Sequence, residues 1–494
     1  MSRAKSIMIQ GTMSGAGKSL LCAALCRIFS QDGWRTAPFK SQNMALNSFV
    51  TLDGLEIGRA QAVQAQAAGM EPDVRMNPVL LKPCSDMGSQ VVVLGEVRCQ
   101  MMAAEYFRYK RQLFPEILAA YDSLAAENDV IVIEGAGSPA EINLRADDIV
   151  NMGLAQRTDA PVLLVGDIDR GGVFAQLYGT VTLLQPEEQD RIAGLVVNKF
   201  RGDLEILRPG LAMLEEKTGK PVLGVVPFLT VDVDDEDSLA PRLERQGMIH
   251  KPLEVAVVRL PRMSNFTDFA PLESHPQIGV QYVDEAHRLG SPDLVILPGT
   301  KSTVDDLLWL RQSGLETAIQ KLAGQGTPVL GVCGGYQMLG ESLHDPDGVE
   351  CSKPGSVRGM GLLPVETTFI GQKYRRQVKA KVSVDALANA ELAGYEIHMG
   401  RTEVKGAPFC VLDDGHPEGC AQGNVWGTYL HGLFDSGALT EKLAWMLCQR
   451  KGLRLELAQP LSHAAYQQQQ FDLLARGVRE TLNMRKIYQI MGMA

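Results

Sequence analysis

The stretch G-T-M-S-G-A-G-K-S, residues 11–19, follows a short apolar run and opens a segment with helical periodicity. A strand, a glycine loop and a helix in this order form a phosphate-binding loop, because the backbone N–H groups and the helix dipole face the phosphate. In such a loop the lysine reaches the outer phosphates and the following hydroxyl holds Mg²⁺. The predicted nucleotide-binding residues are Gly11, Thr12, Gly15, Gly17, Lys18 and Ser19.

Four more β-branched runs alternate with helical patterns through the first 230 residues, at 130–133, 162–165, 195–197 and 222–226. Continuous apolar runs of this kind predict a parallel sheet that helices cover on both faces. Ligands bind such sheets at the carboxyl ends of the strands. The residues there predict Mg²⁺ ligation by Ser19, Glu134 and Asp167, and contact of Asn198 with adenine. A helix cap for Asp167 and a turn role for Asn198 are the alternatives.

A polar stretch at residues 40–48, K-S-Q-N-M-A-L-N-S, follows a short apolar segment. Its amides and hydroxyls suit recognition of a polar substrate near the γ-phosphate, and a plain polar loop is the alternative.

The strand–helix rhythm restarts at Leu253, with apolar runs at 253–258, 294–297 and 329–332. The last run leads into G-V-C-G-G-Y-Q, residues 331–337, where Cys333 lies between glycines. A cysteine on a sharp strand-to-helix turn is a nucleophile elbow, and the helix N-terminus favours its thiolate. Cys333 is therefore the predicted nucleophile.

A cysteine nucleophile needs a base, and His431 in T-Y-L-H-G, residues 428–432, is the candidate, with His398 as its competitor. Gly299 and Thr300 follow the run at 294–297, where their backbone N–H groups could stabilise an oxyanion. A simple helix cap is the other interpretation of that turn.

Composition restricts the class of protein. The chain has 494 residues, 45% hydrophobic and 21% charged, and its formal net charge of −10 disfavours nucleic acid and anionic membranes. Nine cysteines without a C-x-x-C pair indicate reduced thiols and a cytoplasmic protein. No apolar run approaches the ~20 residues that span a bilayer.

These patterns predict an α/β protein with four segments. They are a P-loop domain over 1–230, an acidic linker over 231–250, a second α/β domain over 251–447 and a helical tail over 448–494.

The nucleophile stretch resembles that of class I (triad-type) glutamine amidotransferases. This resemblance implies that Cys333 attacks the side-chain amide of glutamine and that Gln337 lies near that substrate. Gly299 and Thr300 fall where the class has its oxyanion loop, and His431 falls where it has its catalytic histidine.

Most members of that class carry His-x-Glu, whereas His431 is followed by Gly432 and Leu433. The resemblance therefore implies a Cys–His dyad, with Glu403 and Asp435 as candidates for orienting the imidazole.

The glycine loop resembles that of dethiobiotin synthetase and its relatives. Fusion of such an ATPase to a triad amidotransferase domain is the layout of the cobalamin carboxamide synthases. Four further stretches resemble the cobyric acid synthase family: F-K-S-Q-N-M-A-L-N-S at 39–48, V-G-D-I-D-R-G-G-V-F-A at 165–175, N-K-F-R-G-D at 198–203 and G-Y-E-I-H-M-G-R-T at 394–402. The resemblance extends from Ile7 to about Leu447.

That resemblance implies an enzyme that uses ATP, Mg²⁺ and glutamine to amidate the b, d, e and g carboxylates of adenosylcobyrinic acid a,c-diamide. Its implied partners are these small molecules, with no nucleic acid and no membrane. The related a,c-diamide synthase, or another amidotransferase, is the first alternative. A nucleotide switch of the partitioning-ATPase type is the second, but it would have no use for a glutaminase elbow.

Overall fold

A computed structural model describes residues 4–83, 88–233, 251–350, 354–454 and 463–493. The chain divides into two compact units. The first unit comprises residues 1–45, 56–234 and 467–494, and the second comprises residues 46–55 and 235–466. Most of the predicted acidic linker, residues 234–250, lies outside the described residues.

A six-stranded sheet forms the centre of the first unit, and all five of its strand pairings are parallel. In spatial order its strands are Val222–Pro227, Ile192–Phe200, Val162–Asp167, Lys5–Gly11, Val130–Glu134 and Thr36–Phe39. The three central strands are almost entirely buried, which explains their continuous apolar runs.

Helices and a smaller sheet surround this centre. The four-stranded sheet contains, in order, Gln42–Met44, Val79–Pro83, Gly88–Val93 and Glu96–Met102, and Glu56–Gly58 is a further short strand. The helices before the linker are Lys18–Gln31, Arg59–Ala67, Ala103–Tyr109, Phe114–Glu127, Met152–Thr158, Val173–Leu183, Pro186–Arg191 and Leu204–Thr218. Short 3-10 turns cover Val74–Met76, Lys110–Leu113 and Ile142–Asp147.

The C-terminal helices His463–Arg479 and Met484–Ile490 contribute to the first unit's core. Phe471 is buried in the same cluster as the apolar face of the helix Lys18–Gln31. Asp472 also pairs with Arg27 at 2.9 Å. These helices were predicted as a helical tail over 448–494, and most of that segment is packed into the core of the first unit.

The second unit contains a six-stranded sheet that is parallel except at one edge. Its strands in order are Ile278–Val283, Leu253–Val258, Leu294–Leu297, Val329–Val332, Val425–Thr428 and Cys420–Gln422. The helices of this unit are Ala270–Ser274, Thr303–Gln312, Leu315–Gly324, Gly334–Leu339 and Ala438–Lys451. Its 3-10 turns are Phe266–Phe269, Ala286–Arg288 and Asp385–Leu387.

A second, seven-stranded sheet in this unit is mostly antiparallel and is built on the long pair Val365–Val382 and Glu391–Val404. Its other strands are Ser342–Asp345, Gly355–Arg358, Cys410–Leu412, Pro417–Glu418 and Leu430–His431, and Ser48–Val50 is a further short strand of this unit. The second unit thus combines a parallel sheet with a β-rich layer.

The observed architecture confirms the predicted α/β class, with a parallel sheet in the first unit and a mostly parallel sheet beside a mostly antiparallel one in the second. Within the described residues, no helix combines the length and apolar composition needed to cross a membrane.

Candidate active sites

The predicted nucleophile lies on a strained turn between the strand Val329–Val332 and the helix Gly334–Leu339. Cys333 has φ 50° and ψ −107°, which is an unfavourable conformation for a residue with a side chain. Its N–H donates to the carbonyl of Thr428 at 2.8 Å. A Cβ added to Gly335 would lie 2.0 Å from the carbonyl oxygen of Leu297, so this position requires glycine.

The structure brings the predicted base to this thiol. His431 is buried, and the nearby side chain of Cys333 contributes to raising its pKa. The thiol itself lies 3.6 Å from the carbonyl oxygen of Ile397. His431 Nδ1 lies 2.6 Å from Oδ2 of Asp268, and the N–H of Gly432 donates to Oδ1 of the same carboxylate at 3.0 Å. A cysteine, an imidazole and a carboxylate are therefore connected in the order that nucleophilic catalysis uses.

Asp268 corrects the expectation of a dyad oriented by Glu403 or Asp435. Glu403 is exposed and lies opposite Glu366 in the antiparallel sheet, and Asp435 donates its N–H to the Gly432 carbonyl. Asp268 lies in the 3-10 turn Phe266–Phe269, beyond the carboxyl end of the strand Leu253–Val258. The signal that could have found it is this position, since parallel strands collect polar residues at one edge.

The carboxylate sets the protonation state of the imidazole. Burial lowers the pKa of His431, but the charge and hydrogen bond of Asp268 outweigh burial and raise that pKa from 6.5 to about 10. The imidazolium of His431 therefore persists at neutral pH. Because the folded-state pKa of His431 is raised, the ion pair of His431 with Asp268 stabilises the fold fully below about pH 6.5. This stabilisation is lost as the pH rises through about 10.

The predicted oxyanion loop lies beside both catalytic groups. A Cβ on Gly299 would lie 3.1 Å from Cε1 of His431, and a Cβ on Gly334 would lie 3.1 Å from the backbone N of Thr300. The hydroxyl of Thr300 donates to Oδ2 of the buried Asp306 at 2.5 Å. Asp306, which was not predicted from the sequence, holds this loop in place through that hydrogen bond.

Gln337 also lies in this unit, with its side-chain amide bonded to protein groups. Nε2 donates to the carbonyl of Met399 at 2.9 Å and to the hydroxyl of Tyr429 at 3.1 Å, and Oε1 accepts from Thr303. The ring of His398, the competing candidate base, stacks on Tyr429 with centroids 3.7 Å apart. Burial lowers the pKa of His398 to about 3, which leaves the imidazole neutral.

The glycine loop of the first unit has the backbone that phosphate binding requires. Gly15 and Gly17 have φ of 75° and 92°, and the helix Lys18–Gln31 begins directly after them. Lys18 Nζ donates to the carbonyls of Met13 and Gly137, at 3.2 and 3.3 Å. The lysine thus lies across the loop, where its ammonium can meet outer phosphates.

Glu134 lies at the centre of a buried polar cluster beside this loop. Its carboxylate accepts hydrogen bonds from Ser19 at 2.8 Å and from Gln64 at 2.6 Å, and it pairs with Lys40 at 2.9 Å. Lys40 belongs to the predicted polar stretch at residues 40–48, so this part of the stretch reaches the predicted metal ligand.

Asp167 and Asn198 lie on the other side of the loop. Asp167 Oδ2 pairs with Lys199 Nζ at 2.8 Å, and Lys199 also donates to the carbonyl of Gly15. Asn198 Nδ2 donates to the carbonyl of Ala16 at 2.9 Å. In this conformation Asn198 supports the glycine loop, and its contact with adenine stays a prediction.

The donor groups fit a magnesium ion. Mg²⁺ in phosphate-transfer sites takes a few protein oxygens and completes its shell with water and phosphate. A hydroxyl and a carboxylate are adjacent at Ser19 and Glu134. No cluster of three or more histidine, cysteine, aspartate or glutamate side chains forms a metal cage among the described residues. A dedicated all-protein metal centre is therefore not part of the described structure.

Two family models match the chain. Residues 7–238 match a CobQ/CobB/MinD/ParA nucleotide binding domain, and residues 254–439 match a CobB/CobQ-like glutamine amidotransferase domain. The matches agree with the positions of the glycine loop and of Cys333.

Relatives along the full length carry one name. The chain is 53% identical to the cobyric acid synthase of Lachnoclostridium phytofermentans, with 99% of each chain covered. It is 52% identical to the cobyric acid synthase of Ruminiclostridium cellulolyticum over 99% of this chain and 97% of the relative. For the cobyric acid synthase of Photorhabdus laumondii the identity is 51%, over 98% of each.

Proposed function

The chain belongs to the cobyric acid synthase family, and from this premise we propose that it is an enzyme that amidates an intermediate of cobalamin biosynthesis with ATP and glutamine. The acceptor we propose is adenosylcobyrinic acid a,c-diamide, amidated on its b, d, e and g carboxylates. We assign ATP use to residues 1–230, glutamine hydrolysis to residues 251–447, and the whole reaction to the cytoplasm.

The observation that carries this proposal is the connected set Cys333, His431 and Asp268 in the second unit of a chain whose first unit has a phosphate-binding loop. A switch ATPase has no use for a nucleophilic thiol held by a buried imidazolium. An amide-forming enzyme needs both chemistries, because ammonium at neutral pH is not nucleophilic and a carboxylate is a poor electrophile.

Glutamine hydrolysis follows from the proton positions. The thiolate of Cys333 attacks the side-chain carbonyl carbon of glutamine, while backbone N–H groups at Gly299 and Thr300 stabilise the oxyanion. His431 gives its proton to the departing ammonia, and Asp268 holds the ring in the orientation that this transfer requires. Water then attacks the thioester with His431 as base, releasing glutamate and restoring the thiol.

Activation of the acceptor takes place at the glycine loop. An acceptor carboxylate oxygen attacks the γ-phosphorus of ATP, ADP leaves, and ammonia displaces phosphate from the resulting acyl phosphate. Lys18 and the loop N–H groups stabilise the charge on the transferred phosphoryl group. Mg²⁺, held by Ser19, Glu134 and Asp167, would neutralise charge on the outer phosphates.

Replacement of the nucleophile tests the division of labour. Cys333→Ala should abolish glutamate release and glutamine-dependent amidation, and it should retain amidation with external ammonia. Cys99→Ala, at a half-buried cysteine outside both sites, is the matched control and should retain all three activities. Equal loss of the glutamine and ammonia activities in Cys333→Ala would reject the scheme.

The acceptor itself is tested by the product. Incubation of the a,c-diamide with ATP, Mg²⁺ and glutamine should yield successive species that mass spectrometry resolves up to four added amides. Amidation of cobyrinic acid at the a and c positions alone would instead assign the chain to the activity of the a,c-diamide synthase.

A further inference from the structure

One short segment of the chain belongs to the second unit although the residues on both sides of it belong to the first. This segment comprises residues 46–55 and includes the strand Ser48–Val50. We call it the crossing segment. Its placement was not predicted from the sequence, which assigned residues 1–230 to one domain.

Hydrogen bonds and apolar packing hold the crossing segment in the second unit. The carbonyl oxygen of Ser48 accepts from Nδ2 of Asn265 at 3.2 Å and from the hydroxyl of Tyr395 at 3.1 Å. Phe49 packs edge-on against the Tyr395 ring with centroids 5.4 Å apart. Val50 lies in a buried cluster with Tyr395 and Ile397. The segment is therefore an integral part of the second unit.

Both side chains that bind the Ser48 carbonyl adjoin the catalytic groups. The Tyr395 ring stacks on His431 with centroids 5.5 Å apart, and the two residues are paired across the sheet. Asn265 has φ 52° and precedes the 3-10 turn that carries Asp268, and its carbonyl accepts from the Asp268 N–H at 3.0 Å. A third bond, from Asn265 Nδ2 to the Tyr395 hydroxyl at 2.9 Å, connects the two.

The covalent connections of the crossing segment lead back to the predicted metal ligand. On its N-terminal side lies Lys40, which pairs with Glu134 at 2.9 Å. On its C-terminal side lies the helix Arg59–Ala67, from which Gln64 donates to Glu134 at 2.6 Å. The segment is thus flanked, six residues before and nine residues after it in the chain, by two groups that contact the carboxylate expected to meet Mg²⁺.

We propose that the crossing segment couples the two reactions by positioning the glutaminase triad through Asn265 and Tyr395. The inference rests on the proposed function, because it requires that ATP and the acceptor bind near Glu134. When they bind, Lys40 and Gln64 exchange partners, and the strain reaches the Ser48 carbonyl through the chain. A small shift there changes how Tyr395 and Asn265 hold His431 and Asp268.

Removal of a single hydroxyl tests this coupling. Tyr395→Phe keeps the ring on His431 but removes the hydroxyl's bonds to the Ser48 carbonyl and to Asn265. We measure glutamate release with glutamine alone and with glutamine, ATP, Mg²⁺ and the a,c-diamide. The ratio of the second rate to the first is the stimulation of glutamate release. In the parent this ratio should be about fivefold to 150-fold, the range to which coupling free energies of the usual size correspond, and in Tyr395→Phe it should fall below about twofold.

A merely structural role would lower both rates and leave the ratio unchanged, and that result would overturn the proposal. Asn265→Gly removes the side-chain bond from Asn265 to the Ser48 carbonyl. Glycine also tolerates the positive φ of this position, so this variant should likewise lower the stimulation ratio. Leu52→Ala, at a side chain of the crossing segment that is 70% exposed, should keep the parental ratio. A parent that amidates the acceptor but shows no stimulation also overturns the coupling. A parent that produces no amide rejects the proposed function itself.

Discussion

At the scale of single residues, the catalytic apparatus depends on a charge that burial alone would forbid. A buried imidazolium without a neighbouring carboxylate loses its proton, as His398 illustrates with a pKa lowered to about 3. His431 is also buried, yet the Asp268 carboxylate raises its pKa to about 10. Of these two histidines on adjacent strands, His398 is therefore neutral and His431 is positively charged at neutral pH. Of the two, His431, paired with a carboxylate, is the one that can donate a proton.

Asp268→Asn should separate the orientation of the imidazole from its presence. Loss of the negative charge lowers the pKa of His431, so less imidazolium is present at neutral pH to donate a proton to the departing ammonia. Glutaminase kcat should fall about 10²–10⁴-fold, by analogy with carboxylate loss in hydrolase triads. Ammonia-dependent amidation should be unchanged. The pKa of His431, followed through the pH dependence of its imidazole NMR signals, should fall well below about 10.

The control for this substitution is Asp435→Asn, which alters an acid near Gly432 without removing the His431 partner. It should leave the pKa of His431 unchanged. If Asp268→Asn also leaves that pKa unchanged, Asp268 does not set the charge of the imidazole.

A second buried carboxylate should make stability depend on pH. Burial raises the pKa of Glu418 from 4.5 to about 7, although its hydrogen bonds from Thr428 and the Tyr429 N–H oppose the shift. Below about pH 4.5 the Glu418 carboxyl group is neutral in both the folded and the unfolded chain. Above about pH 7 it is charged while still buried in the folded chain, which destabilises the fold. Relative to Glu418→Gln, the parent should therefore lose about 1–3 kcal/mol of unfolding free energy between pH 4.5 and pH 7. Urea titrations of both proteins at the two pH values measure the difference, and parallel pH profiles would contradict the assignment.

The residues that sequence reasoning located are those with a local signature. Cys333 lies between glycines after a strand, and Lys18 and Ser19 follow a glycine loop. Asp268 has no such signature and is 163 residues away from His431 in the chain. Glu403 and Asp435 were favoured because they are near in sequence, whereas in a parallel sheet the nearest carboxylate comes from another strand end.

At the scale of elements, apolar runs predicted the strands 253–258, 294–297 and 329–332 at the bounds the structure has. These strands are buried on both faces, so hydrophobicity ends where the strand ends. No continuous apolar run of this kind marks the antiparallel layer. Its long strand Val365–Val382 alternates between buried and exposed residues and carries an irregular register, which a continuous-run criterion does not detect.

The helix Gly334–Leu339, which follows Cys333, packs tightly against the end of the strand Leu294–Leu297. This close contact leads to a prediction for Gly335→Ala. The added Cβ would lie 2.0 Å from the Leu297 carbonyl oxygen, so the helix carrying Cys333 must move away from Gly299 and Thr300. Because misplacement by about 1 Å can cost about 10²-fold in rate, glutaminase activity should fall by about that factor. Ammonia-dependent amidation should persist. Gly324→Ala, where a Cβ meets nothing within 4 Å, should leave glutaminase at the parental rate, and an active Gly335→Ala enzyme would show that the elbow tolerates displacement.

At the scale of the whole chain, each unit is assembled from segments distant in sequence. The C-terminal helix His463–Arg479 belongs mainly to the first unit, and residues 46–55 belong to the second. Local patterns predict helices and strands but contain no information about which core receives a detached segment. The helical nature of the predicted tail over 448–494 was therefore predictable, whereas its contribution to the nucleotide-binding core was not.

This assembly predicts that a substitution near the C-terminus damages the ATP reaction and spares the glutaminase. Phe471 is buried against the core that contains the helix Lys18–Gln31, and truncation of a buried phenylalanine costs about 3–5 kcal/mol. Phe471→Ala should therefore lower the melting temperature of the first unit by roughly 6–12 °C at 3 kcal/mol, and ammonia-dependent amidation should be lost at lower temperature than in the parent. Glutamate release measured without ATP should follow the parental temperature profile, because the triad lies in the other unit.

Leu473→Ala, on the same helix with a side chain that is 47% exposed, is the matched control. Equal thermal loss of both activities in Phe471→Ala would show that the two units unfold as one.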